Sequence, residues 1–326
     1  MKKQEIIDLI LANGNTTQKY IVSRDILSVD INTTDMLAWQ EQIINSKEVQ
    51  KILKKQNNDG WFGIYIHGGA GDAMDGSIAR LRELGVKPYH PFMRKAKQAL
   101  YADEYATKLN RSYPPLEEYH FSRALVLAHL HIETAEPDIL LVKFQNQLID
   151  KFKKSINFDS LDDVSREIRS AKFAGSRAYL KDRDSSFPWP SDFIVLGSSL
   201  NWKTTRTTNI ITAAMENVAR LAPIPVIFHV IHNHYVGPIS EYANFDISDD
   251  CCEFPSGRAF WFRNYNYLCK ICDIDKIPYY FRQAEKLAER VAENSLIENL
   301  KIEKFDEQVD IYFNVLQILH NAKIDF

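Results

Sequence analysis

Asp249, Asp250 and Glu253 are the residues whose types and spacing best suit catalysis on a charged substrate. They spell D-D-x-x-E, and on a helix either aspartate shares a face with Glu253. Such a pair can hold Mg²⁺ bridged to a diphosphate, since Mg²⁺ takes oxygen ligands and keeps phosphate oxygens in its shell. The turn-forming neighbours Asp246, Ser248 and Pro255 give the other reading, a solvated acidic loop. Cys269 and Cys272 stand in C-x-x-C spacing, with Cys252 upstream and His232 not far off in sequence. Zinc accepts Cys and His in tetrahedral sets, which makes Cys252, Cys269, Cys272 and His232 the metal candidates. Cys251 and Cys252 form a doublet and not a second knuckle, and cysteine is among the most buried residue types, so buried free thiols remain the alternative.

Two further stretches offer ligand contacts. His67-Gly68-Gly69-Ala70-Gly71-Asp72 is glycine-rich backbone ahead of a helix, which can cradle an anion. No Lys-Ser or Lys-Thr follows it, so it is not a P-loop, and a loop shaped around Trp61 is the plainer reading. His67 is the side chain there that can face a cavity. Arg258 to Tyr267 is dense in aromatics, with Trp261 and Tyr265 four residues apart and Arg263 between them. These rings can line an apolar pocket or hold a cation, or they can simply form core. His67, Trp261, Arg263 and Tyr265 are the ligand-binding candidates. No G-x-S-x-G elbow occurs, so a hydrolase triad has no support.

The elements that must position these groups read as helices. Ile6, Ile7, Ile10 and Leu11 repeat at helical spacing before Gly14. Thr33-Thr34-Asp35 can cap a helix carrying Met36, Trp39, Ile43 and Ile44. Lys47 to Gln56 reads as a helix entering a Gly-rich loop, and Ser77 to Leu84 as one stopping at Gly85. Pro91 is placed to start another, since its missing N–H is not needed in the first turn. Leu116–Ile132, Pro137–Phe152, Thr208–Leu221, Pro278–Glu293 and Asp306–His320 follow as amphipathic helices. Ser160-Leu161-Asp162-Asp163 has capping-box form and predicts a helix carrying Val164, Ile168 and Ala171. Val226 to Ile231 is the one stretch with strong β propensity, and it has no evident partner strand. The expectation is an all-α chain with few or no strands, in one domain over 1–326, with a seam near 181–190.

Composition narrows function by exclusion. A net charge of −3 gives no basic footprint for nucleic acid. No apolar run is long enough to span a membrane. The stretch Met1 to Ala12, with Asp8 inside it, reads as an amphipathic helix and not a signal peptide. Four cysteines in 326 residues do not make a disulfide scaffold, which makes the cytoplasm the expected location.

Gln56-Asn57-Asn58-Asp59-Gly60-Trp61, preceded by a Leu-containing helix and followed by another helix, resembles the QW repeat of squalene-cyclase-like proteins and protein prenyltransferase β subunits. Gly60 and Trp61 are adjacent here, one residue closer than the usual spacing. Trp189-Pro190 through Asn201-Trp202 into the helix at Thr208 is a fainter echo of the same pattern. The resemblance implies an α/α toroid, an inner ring of helices inside an outer ring, with a central cavity for an apolar or isoprenoid-like small molecule. An enzyme of this kind would be a lyase, isomerase or transferase. Asp249, Asp250 and Glu253 are similar to the Asp-rich motif of terpene synthases, which have a different helical fold. The D-x-D-D acid of toroid cyclases is incomplete here, because Asp273-Ile274-Asp275 is followed by Lys276. No cofactor is indicated. The competing class is a non-catalytic helical module that binds a protein partner.

Overall fold

A computed structural model of the chain describes residues 1–63, 65–66, 73–102, 116–132, 138–180, 186–231, 234–240 and 255–326. Of these residues, 64% are helical and 5% are in strands, which puts the fold in the mostly helical class. Contacts divide it into two compact units, Ile7–Phe144 and Met1–Ile6 with Gln145–Phe326.

The Ile7–Phe144 unit draws on α1 (Lys3–Asn13), α2 (Thr16–Ile21), α3 (Thr34–Asn45), α4 (Lys47–Leu53), α5 (Met74–Glu83), α6 (Pro91–Tyr101) and α7 (Leu116–His129). It also takes in the start of α8 (Ile139–Ser155). Pro91 opens α6 as expected. Ser46 ends α3 and begins α4, its Oγ accepting the Val49 N–H at 3.3 Å. α5 stops at Gly85 because that residue sits at φ +87°, where a Cβ is strained. The N–H of Val86 then returns to Leu81 O at 2.9 Å and that of Gly85 to Arg82 O at 3.0 Å. Two carbonyls beyond α5 are taken by Thr17 Oγ1, donating to Leu84 O at 2.9 Å, and Gln40 Nε2, donating to Gly85 O at 2.7 Å. The end of α5 is thereby fixed against α2 and α3.

The loop after α4 closes on itself as a clasp. Asn57 N donates to Trp61 O at 2.7 Å, and Trp61 N to Asp59 Oδ1 at 3.0 Å. The sequence suggests that Gln56 satisfies the last carbonyls of its own helix. Instead α4 ends at Leu53, and the amides of Lys54, Lys55 and Gln56 fold back to Gln50, Ile52 and Leu53. Gln56 Nε2 is left to donate to Gly60 O at 3.0 Å and to Phe92 O at 2.9 Å, in the first turn of α6. Trp61 and Phe62 are buried beneath, at 3% and 0% exposure.

The Gln145–Phe326 unit holds the rest of α8, then α9 (Pro190–Ser198), α10 (Thr205–Arg220), α11 (Pro255–Ile271), α12 (Pro278–Ala292), α13 (Leu296–Asn299) and α14 (Phe305–Asn321). α9 packs on α11, α11 on α14, and α12 on α10 and α14. Gly197 lets α9 approach α11, since a Cβ there would lie 2.4 Å from the Tyr267 ring. Phe152 and Phe193 are fully buried, with ring centroids 6.2 Å apart. Each such side chain contributes about 1.5–3 kcal/mol of burial.

A four-stranded sheet also belongs to this unit, in the order β1 (Ser165–Glu167), β2 (Arg177–Tyr179), β3 (Ile227–Ile231), β4 (His234–Pro238). It corrects two expectations. Val226–Ile231 does find partners: β3 runs parallel to β2 and antiparallel to β4. The box at Ser160 forms, with Asp163 Oδ2 accepting from Ser160 N at 2.9 Å, but it opens only one 3₁₀ turn, Leu161–Asp163. The chain then becomes β1, because buried Arg177 draws it across the sheet. Its Nε donates to Ser165 Oγ at 2.7 Å, its Nη2 to Ser165 O at 2.9 Å, and it pairs with Asp162.

Candidate functional site

The aromatic stretch of the sequence forms α11, and it is packed. Trp261 is 6% exposed and Tyr265 0%, with ring centroids 4.9 Å apart. Tyr265 donates its hydroxyl to Tyr280 O on α12. Arg263 faces outward, its guanidinium carbon 5.9 Å from the Phe260 ring centroid. The proposed ligand contacts on this helix are thus two core rings and one surface cation. Burial pushes the hydroxyls of Tyr265 and Tyr280 well above the usual tyrosine range. A group whose folded pKa is raised gives stability that is full below the unfolded value and lost as pH rises through the folded one. Stability is therefore expected to fall above the ordinary tyrosine pKa of 10.0. Equilibrium unfolding of Tyr265→Phe across alkaline pH should show a flatter decline than the parent, though from a lower starting point.

Cys269 and Cys272 are buried free thiols, and Cys272 Sγ donates to Leu268 O at 3.2 Å. Burial is the main force holding both thiols well above the usual cysteine range. Among the described residues, no three His, Cys, Asp or Glu side chains gather as a metal-holding group. Cys252 and His232 lie outside the described residues, as do His67, Asp249, Asp250 and Glu253. Iodoacetamide labelling followed by peptide mapping is expected to leave Cys269 and Cys272 unmodified in the native protein and to modify both in denaturant.

A groove of about 480 Å³ lies beside α10, lined by Ile156, Ala213, Glu216, Asn217, Arg220 and Tyr279 among others. Its polar groups are turned to structural use. Asn217 Nδ2 donates to Ser155 O at 2.9 Å and Phe158 O at 2.8 Å. Arg220 Nη2 donates to Asp159 O at 3.1 Å and to Asn217 Oδ1 at 2.9 Å.

One set of convergent polar groups was not singled out from the sequence. Lys151 on α8 donates to Asp192 Oδ2 at 2.5 Å. Its ammonium also lies 4.5 Å from the centroid of the Trp189 ring. Asp192 is the third residue of α9, where a carboxylate is favoured by the helix dipole. Pro190 presets the first turn, and Asp192 Oδ2 accepts the Trp189 N–H at 2.7 Å. An indole N–H can only donate, so this helix start is capped by Asp192 alone. Tyr179 of β2 and His229 of β3 flank the indole, at centroid distances of 5.8 and 4.8 Å. The parallel register of Ala178 with Phe228 brings these two rings to the same level of the sheet.

Electrostatically the cluster is strained. The Asp192 side chain is only 4% exposed and that of Lys151 20%. Burial lowers the Lys151 amine from its usual value while Asp192 pulls it back up. Burial likewise raises the Tyr179 hydroxyl, opposed by a hydrogen bond from Phe187. The sequence signal was present in part: Pro188-Trp189-Pro190 followed by an aspartate at the third helical position, and a lysine set among buried Leu148, Ile149 and Phe152.

Compared with known protein families, with curated proteins and with solved structures, the chain matches none. Among the described residues, no helix is long and apolar enough to cross a membrane.

Proposed function

We propose that the protein is an α/α toroid of the terpenoid-cyclase and prenyltransferase type, which binds an apolar, isoprenoid-like small molecule. The supporting observation is the clasp, in which Gln56 reaches past its own loop to Phe92 O. It ties the end of α4 to the start of α6 by one hydrogen bond, while α4 also packs on α5 and α5 on α7. The clasp joins α4 and α6 through the Gln56 side-chain amide, which donates to Phe92 O above the buried Trp61 indole. This reading names no reaction, because fold alone does not supply one.

A second reading, a helical module that docks a protein partner, draws on the groove beside α10, whose lining includes Ile156, Ala213 and Tyr279. Thermal unfolding in the presence of farnesol, geranylgeraniol and a straight-chain alcohol of equal carbon number separates the two. Ligand at about a hundred times its Kd stabilises by about 2.7 kcal/mol, so a binder shows a clear rise in Tm. The toroid reading expects that rise with the isoprenoids and a smaller one with the straight chain. No shift with any of them rejects it and leaves the docking module.

A further inference from the structure

We propose that Lys151 is a nucleophilic amine that condenses with the carbonyl carbon of a small aldehyde or ketone, with Asp192 as its proton partner. The inference rests on a different unit from the clasp, so it stands or falls apart from the reading above.

Three observations carry it. The first is that, among the described residues, the ammonium group donates to one side chain, Asp192 Oδ2 at 2.5 Å. That same oxygen accepts the Trp189 backbone N–H, which holds the carboxylate in place to receive a proton. The second is the apolar and aromatic cover. The Trp189 ring lies 4.5 Å from Nζ, and Tyr179 and His229 pack around that ring. Burial favours the neutral, reactive form of the amine, against the ring face and Asp192, which favour its charge. The third is an unused donor. Trp189 Nε1 is buried and has no hydrogen-bond acceptor among the described residues, although it belongs to the ring that Lys151 covers. A buried N–H left unpaired is costly, and a ligand oxygen that reaches it removes that cost. A carbonyl group offers both the electrophilic carbon for the amine and the oxygen for the indole.

The step balances without an oxidant. Lys151 passes an ammonium proton to Asp192, and the neutral nitrogen adds to the carbonyl carbon. The carbonyl oxygen takes that proton back to give a protonated carbinolamine. Loss of the hydroxyl as water, with a second nitrogen proton, leaves the protonated imine, the third proton staying on nitrogen. Ammonium and carbonyl become iminium and water, and Asp192 is a carboxylate again.

The test uses the native chain with butanal and cyanoborohydride at neutral pH, followed by peptide mass mapping of each alkylated lysine. Lys153 and Lys154 are exposed on the same helix and serve as internal references. Lys151 is expected to be alkylated about fivefold or more faster than either. The alternative is an ion pair that only clamps α8 to α9. It makes Lys151 the slowest of the three, and that order overturns the proposal, as does an equal rate for all three. Lys151→Arg keeps the charge pair and should show no label at this position with the reference lysines unchanged.

Discussion

Lys151→Met is expected to destabilise the protein by about 3 kcal/mol, near the lower end of what breaking a buried ion pair costs. The reason is asymmetric. Removing the lysine leaves Asp192 as a lone carboxylate, 4% exposed, with only the Trp189 N–H to hold its charge. The one-fifth exposure of the Lys151 side chain lets some water reach the pair, which sets the estimate low in the range. The double variant Lys151→Met with Asp192→Leu should recover most of the loss, because apolar replacement of both partners is often neutral. Urea unfolding of the two single variants and the double variant gives the coupling energy directly. A single-variant loss below about 1 kcal/mol would put the pair in the class of weak surface bridges and remove the basis for treating it as a constrained site.

Gly60→Ala is expected to cost about 2–4 kcal/mol, the sum of a strained backbone and a steric clash. Gly60 holds φ +102°, outside the range that side chains tolerate. A Cβ there would lie 2.6 Å from Lys95 O and 3.0 Å from Lys95 C, and these are helix backbone atoms that cannot swing aside. The alanine must push α6 away from the loop, which also lengthens the bond from Gln56 to Phe92. Gln56→Ala removes that bond without the clash and should cost only about 1–2 kcal/mol. Hydrogen exchange at the amides of the first turns of α6 reads the difference. Gly60→Ala should speed exchange there more than Gln56→Ala does, and equal protection in both would show that the close approach to Lys95 carries no weight.

Where the chain signals its own local structure, the sequence was readable. Pro91 starts α6 because a first turn needs no proline N–H, and Gly85 ends α5 because the termination motif needs a positive φ. The long amphipathic helices α10, α12 and α14 fall within a few residues of where their periodicity puts them. What escaped reading is what depends on distant partners. β1 and β2 are three residues each, too short for alternation to show, and they exist because Arg177 pairs with Ser165 and Val226 O accepts the Arg177 N–H at 2.8 Å. Ser160 caps a turn correctly and still does not lead a helix, since the sheet outcompetes local propensity. The Lys151–Asp192 pair joins residues forty-one positions apart, and nothing in local spacing links them. The four-residue spacing of Trp261 and Tyr265 was legible in the sequence, with pocket and core both open, and packing shows that both rings belong to the core of α11.

The most direct measurement of the central reading is native mass spectrometry of the purified chain with geranylgeraniol, set beside Gly60→Ala. An isoprenoid-binding toroid held by the Gln56 clasp is expected to retain one molecule per chain, and the variant to retain less. A bare chain at every ligand concentration that keeps the parent folded contradicts the account.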